Sequence, residues 1–174
     1  MEEKRKNILI NEEQISERIK ELGKDISAEY DTKNLYVLSL LRGSFIYAAD
    51  LVRAIDCNMK IGFMTTSSYG DGEETSGKVK IVNDISDDLK DFDVLIVDDI
   101  VDSGITMDFV VNHVKSLGAK SVKTCVLLDK PSRRKVHIKP DFCCFEIEDV
   151  FVVGYGLNYG DFYRNVPYIF NWES

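Results

Sequence analysis

Two short apolar runs, residues 35–41 (Leu-Tyr-Val-Leu-Ser-Leu-Leu) and 94–97 (Val-Leu-Ile-Val), constrain this 174-residue chain most. Runs of this length without polar alternation suit strands buried on both faces. Each is followed by a helical stripe. After the first come Phe45, Ala48, Ala49, Val52 and Ile55; after the second come Met107, Val110, Val111 and Val114, with Gly118 placed as a helix C-cap glycine. A further helix is predicted over residues 11–29, with Asn11 and Gln14 spaced as a capping box ahead of Ile15, Ile19, Leu22 and Ile26. More strands are predicted at 60–66, 79–82 and 122–128. Strands alternating with helices imply an α/β fold, a parallel sheet flanked by helices. Residues 67–78, rich in glycine and serine with Tyr69 almost their only apolar side chain, read as a mobile loop. Residues 141–172 are aromatic, carry short strand signals and lack a helical stripe, so they are expected to pack over one edge of the sheet. No linker or repeat divides the chain, and residues 1–174 read as one domain.

Charge and cysteine usage narrow the function. Lys and Arg number 22 against 30 Asp and Glu, a net charge of −8, which disfavours a general nucleic-acid-binding surface. No apolar run approaches the length needed to span a bilayer, and residues 1–6 precede no apolar segment of signal-peptide type. The four cysteines include no Cys-x-x-Cys pair, and adjacent Cys143 and Cys144 would face opposite sides of a strand. They are expected to be buried small hydrophobes in a reducing cytoplasm.

The densest chemical signal is Val94-Leu95-Ile96-Val97-Asp98-Asp99-Ile100-Val101-Asp102-Ser103-Gly104-Ile105-Thr106. A buried strand carries Asp98 and Asp99 to its carboxyl end, where open α/β sheets bind ligands. The turn at 102–106 then opens a helix, whose free N–H groups favour an anion; Gly104 allows close approach and Ser103 and Thr106 add hydroxyls. Aspartate is common as a helix N-cap, so no one of the three is diagnostic alone. Together they set a phosphate cradle beside carboxylates, a combination that a sugar phosphate reconciles. Its phosphate fills the cradle, its hydroxyls donate to Asp98 and Asp99, and a divalent cation screens the remaining charge. Asp102 stands nearer the reacting end as a proton acceptor. A phospho-receiver domain also places acids after such a strand, but there they open the domain; here a full α/β pattern precedes them.

This segment resembles the phosphoribosyl-diphosphate-binding signature of the type I phosphoribosyltransferases. Leu40-Leu41-Arg42-Gly43-Ser44-Phe45, Ser67-Ser68-Tyr69-Gly70, Lys130-Pro131 and Lys139-Pro140-Asp141-Phe142 through Arg164 resemble the hypoxanthine-guanine branch, over nearly the whole chain. The resemblance implies a type I phosphoribosyltransferase fold with a small hood, mainly residues 141–174 with help from the N-terminal segment. It implies purine salvage, in which the 5-phosphoribosyl group passes to N9 of hypoxanthine, and of guanine, giving IMP or GMP and pyrophosphate. Asp102 would be the general base near purine N7. Asp98 and Asp99 would hold the ribose hydroxyls and Mg2+, and Ser103, Gly104, Ile105 and Thr106 the 5-phosphate. Arg42 and Gly43, after a cis peptide, and Arg164 would meet pyrophosphate. Lys130 would read the 6-oxo group, Phe151 would stack on the base, and the Val152 backbone would read its edge. Ser68 and Tyr69 belong to the closing loop.

The family more often has Glu-Asp at 98–99, and usually Asp at 158, a position tied to a second magnesium and to the edge of the purine ring; Asn158 is expected to weaken that cation site and to alter guanine handling. His113 and His137 receive no role. A homodimer or homotetramer is expected, with no nucleic-acid or membrane partner. Two other readings are a nucleotide-sensing RNA-binding regulator on this fold, which the charge of −8 disfavours, and a xanthine-preferring enzyme.

Overall fold

The apolar runs become the centre of a six-stranded sheet. The computed structural model describes residues 7–69 and 78–172. Strand β1 (Ile8–Ile10) leads into α1 (Glu12–Tyr30), followed by β2 (Leu35–Leu41), α2 (Phe45–Ala54), β3 (Met59–Tyr69), β4 (Lys78–Asn83) and β5 (Asp93–Val101). The chain continues through α3 (Ile105–Ser116), β6 (Ser121–Asp129), β7 (Phe142–Glu146), β8 (Val152–Val153) and β9 (Ile169–Asn171). The large sheet has the order β4-β3-β2-β5-β6-β7. All its neighbours are parallel except the edge pair β3–β4.

Burial on both faces explains the unbroken apolar runs. Val37, Leu95, Val97 and Leu127 pack with Ile19, Leu22, Ile26 and Leu51 of α1 and α2 on one face. The alternate residues Leu38, Leu40, Val94, Ile96 and Val126 pack with Met107, Val110 and Val114 of α3 on the other. Gly118, at φ +86°, follows α3 and donates its N–H to the Lys115 carbonyl at 3.0 Å. The hood is a separate three-stranded antiparallel sheet in the order β1-β9-β8, and Ile10, Val152, Tyr155, Leu157 and Ile169 join it to the core shared with α1 and α2.

Two boundaries and the burial of two cysteines depart from the sequence reading. Residues 67–69, assigned to a loop, extend β3: Ser67, Ser68 and Tyr69 pair with Lys80, Val79 and Lys78 across an antiparallel hairpin. Polar residues suit such an edge hairpin, which has no helix over both faces. The rest of that loop, residues 70–77, lies outside the described residues. Phe142–Glu146, assigned to the hood, is instead the sixth strand of the main sheet, parallel to β6 through Cys125↔Phe142 and Leu128↔Phe145. Finally, Cys125 and Cys144 are buried as expected, whereas Cys57 and Cys143 are only partly buried; all four are free thiols.

The joint between hood and core rests on a capping box. Asn11 Oδ1 accepts the Gln14 N–H at 2.8 Å, and Gln14 Oε1 accepts the Asn11 N–H at 2.9 Å, one residue after β1 ends. Asn11→Ala is therefore expected to destabilise the fold by about 0.5–2 kcal/mol. Urea unfolding with an unchanged slope and a lowered midpoint checks it.

Candidate active site

Strand β5 runs on past its apolar stretch, so Asp98 and Asp99 are still within the sheet, partly buried and paired beside β6 at Asp98↔Val126. Their oxygens are engaged locally: Asp98 Oδ1 accepts the Asp99 N–H at 2.9 Å and Asp99 Oδ1 the Ile100 N–H at 2.7 Å. Burial, then the neighbouring Asp99 charge, pushes the Asp98 carboxyl well above its usual range. Burial likewise raises Asp99, offset in part by hydrogen bonds and by the Arg164 guanidinium. Neither carboxylate has an ion pair within 4 Å among the described residues.

The turn from β5 to α3 forms a cavity of about 230 Å3 lined by Asp98, Asp99, Asp102, Ser103, Gly104, Thr106 and Met107. The first intrahelical bond of α3 runs from Asp108 N–H to the Gly104 carbonyl at 2.9 Å. The preceding helical N–H groups have no acceptor inside the helix; that of Ile105 meets Ser103 Oγ at 3.3 Å. Gly104 is required for a reason the sequence did not suggest. It sits at φ +84°, and a Cβ there would come within 2.6 Å of Ile138 Cγ2 and 3.0 Å of Arg134 Cδ. Its bare side thus faces the segment 130–138 that crosses over the turn.

That crossing segment is tied down tightly. Lys130 N–H donates to the Val101 carbonyl at 2.9 Å, Lys135 N–H to the Ser103 carbonyl at 2.8 Å, and Arg134 Nη1 to the Asp102 carbonyl at 3.0 Å. Arg134 also pairs with Asp129. Arg133 Nε reaches Asp102 Oδ1 at 3.1 Å and Nη1 reaches Asp149 at 3.4 Å, while buried Lys130 lies 4.0 Å from Asp149. Sequence reasoning treated Arg133 and Arg134 only as members of a basic run; nothing in their spacing shows which cations turn inward. Three of the run's five cations are matched to carboxylates, while Lys135 and Lys139 are exposed.

On the opposite flank, the Leu41–Arg42 peptide is cis, as the resemblance implied, and Arg42 is exposed. A Cβ on Gly43 would collide with the Asp99 carboxylate, and one on Gly156 with the Gly43 carbonyl. Arg164 Nη1 donates to the Gly156 carbonyl at 2.6 Å, which sets its charge near Asp99. Phe151 is 53% exposed, with the Tyr159 ring edge-on at 6.0 Å. Val152 is buried in β8 opposite Asn171, so only its backbone is available to a ligand. The Asn158 amide donates to the Gly160 carbonyl within its own turn. His113, which received no role, pairs with Asp84 at 2.9 Å.

A family model described as phosphoribosyl transferase domain matches residues 6–160. The chain belongs to the phosphoribosyltransferase family. It is 45% identical over 162 residues to the hypoxanthine-guanine phosphoribosyltransferase of Bacillus subtilis, covering 93% of this chain and 90% of that one. It is also 45% identical over 164 residues to the hypoxanthine phosphoribosyltransferase of Escherichia coli, covering 93% and 92%. The crystal structure of a hypoxanthine phosphoribosyltransferase from Staphylococcus aureus superposes with a TM-score of 0.95 at 39% identity, over 99% of this chain and 94% of that one. The fold of this phosphoribosyltransferase is thus the type I fold that the sequence implied.

The two raised carboxyls make a testable cost. A group that holds its proton more tightly when folded destabilises the fold as pH rises through its folded pKa. Asp98→Asn keeps the oxygen that accepts the Asp99 N–H but removes the charge. In metal-free buffer at pH 7.5 this variant of the phosphoribosyltransferase is expected to melt about 2–4 °C higher than the native chain. The gain should vanish toward pH 4, near the carboxyl's unfolded pKa, because the native Asp98, its pKa raised by burial, already holds its proton there. A lower melting temperature at both pH values would contradict it.

Proposed function

We propose that this chain transfers the 5-phosphoribosyl group of phosphoribosyl diphosphate to N9 of hypoxanthine, and of guanine, releasing pyrophosphate. The bond from C1′ to N9 forms as that from C1′ to the pyrophosphate oxygen breaks. The observation that carries this reading is the juxtaposition of the α3 N-terminal cradle with Asp98, Asp99 and Asp102 around one cavity. The cradle at Ser103–Thr106 receives the 5-phosphate through backbone N–H groups. Asp98 and Asp99 accept from the ribose hydroxyls. Arg42 and the Gly43 backbone meet the leaving pyrophosphate, with Arg164, whose guanidinium suits paired oxygen acceptors.

Asp102 takes the purine proton at N7 as N9 attacks. Lys130, 6% exposed at the end of β6, donates to the 6-oxo group. Phe151 offers its exposed ring for stacking, and the Val152 backbone reads the edge of the base. Ser68 and Tyr69 end β3 at the base of the closing loop. Residues 1–174 act as one catalytic unit, with the hood formed by β1, β8, β9 and the turns between β8 and β9.

Magnesium suits this arrangement. Asp98 and Asp99 are adjacent oxygen donors whose ionised forms are disfavoured, and a hard cation relieves that cost. No group of three or more described His, Cys, Asp or Glu residues converges into a metal cage. When bound, the ion neutralises charge on the departing pyrophosphate. No helix among the described residues is long and apolar enough to cross a membrane, and a cytoplasmic homodimer or homotetramer is the assembly proposed.

A spectrophotometric assay with hypoxanthine, guanine or xanthine, phosphoribosyl diphosphate and Mg2+ tests the reading. Turnover with hypoxanthine and guanine is expected; turnover with xanthine alone, or none with any base, would overturn it. Asp102→Asn is expected to lower kcat roughly 10²- to 10⁴-fold with little change in KM. At position 158 an aspartate restores a charge but forfeits the hydrogen bond to Gly160. Asn158→Asp is expected to lower the Mg2+ concentration giving half-maximal rate several-fold, and an unchanged magnesium titration would refute the idea that Asn158 weakens the cation site.

A further inference from the structure

The proposed base and the proposed purine-reading lysine are joined by a bridge of alternating charge. Asp102 Oδ1 accepts from Arg133 Nε at 3.1 Å, Arg133 Nη1 lies 3.4 Å from Asp149 Oδ2, and Asp149 Oδ1 lies 4.0 Å from Lys130 Nζ. Two cations and two anions balance. The backbone under Arg133 is not free to drift, because its neighbours are anchored to 101–103: Lys130 N–H to Val101, Arg134 Nη1 to Asp102, and Lys135 N–H to Ser103. Arg133 N–H closes a turn onto the Lys130 carbonyl at 3.1 Å, which holds the two cations in one rigid element. Only Oδ1 of Asp102 is engaged; Oδ2 accepts no hydrogen bond among the described residues, and Asp102 lines the cavity.

N7 and the 6-oxo group are neighbours on one edge of a 6-oxopurine, so the carboxylate and the ammonium that meet them must keep a fixed separation. A guanidinium that gives Nε to one carboxylate and Nη1 to another spans a set distance between them, since its donors lie in one plane. We propose that Arg133 and Asp149 are positioning residues: together they hold the Asp102 carboxylate by one oxygen, leave the other for the purine proton, and set its distance from Lys130. Neither residue needs to touch the substrate. This inference rests on the roles given above to Asp102 and Lys130.

Steady-state kinetics of Arg133→Gln, Arg133→Lys, Asp149→Asn and the Arg133→Gln/Asp149→Asn pair, beside Asp102→Asn, test it. Arg133→Gln and Asp149→Asn are each expected to lower kcat for hypoxanthine at least tenfold, with KM for phosphoribosyl diphosphate within about twofold of native. The double variant should be little worse than either single one, because both act through one bridge. Arg133→Lys, which keeps the charge without the planar fork, should recover part of the loss. An unchanged kcat in Arg133→Gln would overturn the proposal. So would a loss in kcat accompanied by a matching rise in KM for phosphoribosyl diphosphate, which would mark Arg133 as merely holding the phosphate turn. If instead Asp102→Asn is fully active, the fault lies with the underlying assignment of the base, and the positioning role falls with it.

Discussion

Strand β5 is gripped on four sides. Strands β2 and β6 pair with its two edges, while helices α1 and α2 cover one face and α3 the other. Val94, Leu95, Ile96 and Val97 are fully buried. A strand shifted by one residue would exchange the side chains assigned to its two faces. The register is therefore specified where the strand passes from Val97 into Asp98, and that register decides where the carboxylates emerge. Every later feature of the site is measured from this point: the turn at 102–104, the start of α3, and the segment that crosses above it.

The same position concentrates opposed electrostatics. A helix N-terminus favours an anion, and three aspartates lie within five residues of each other beside it. The fold divides them. Asp98 and Asp99 are held within the strand, where burial raises their pKa, and Asp102 is turned to Arg133. The Arg133 guanidinium is in turn held more firmly protonated, first by Asp102 and then by Asp149. One pair of acids thus has no ion-pair partner within 4 Å among the described residues, while the third has one from the chain.

What the sequence disclosed follows from how local each signal is. Strands β2 and β5 and helices α1 and α3 were legible because burial on two faces, or on one stripe, writes a period into neighbouring residues. The Asp98–Thr106 constellation was legible because its members are contiguous. The end of β3 was not, since Ser67-Ser68-Tyr69 is polar and owes its extended form to pairing with β4. Strand β7 was hidden for a related reason: Phe142–Glu146 is short, only Cys144 in it is buried, and its place in the sheet depends on β6. The carboxylate partners of Arg133 and Arg134 could not be read at all. Arg133 meets Asp102 and Asp149 from other elements, and Arg134 meets Asp129 only because the turn at Pro131–Arg133 folds it back.

The flank opposite Arg133 is built on the reverse principle, absence of side chains. Gly156 lies against the Gly43 carbonyl, and Gly43 lies against the Asp99 carboxylate, so backbone from the hood, backbone from the β2–α2 turn and a site carboxylate stack without a Cβ between them. A side chain at Gly43 would displace the Asp99 carboxylate, and one at Gly156 would wedge the hood away from the sheet. That would also carry off Arg164, whose guanidinium is held by the Gly156 carbonyl and whose charge tempers Asp99. The two flanks therefore fix the site by different means. On one, hydrogen bonds from Lys130, Arg134 and Lys135 tie the crossing segment to the turn at 101–103; on the other, bare backbone comes into close steric contact. The first can be weakened one bond at a time, whereas the second tolerates no intermediate, because the smallest possible side chain already fills the gap.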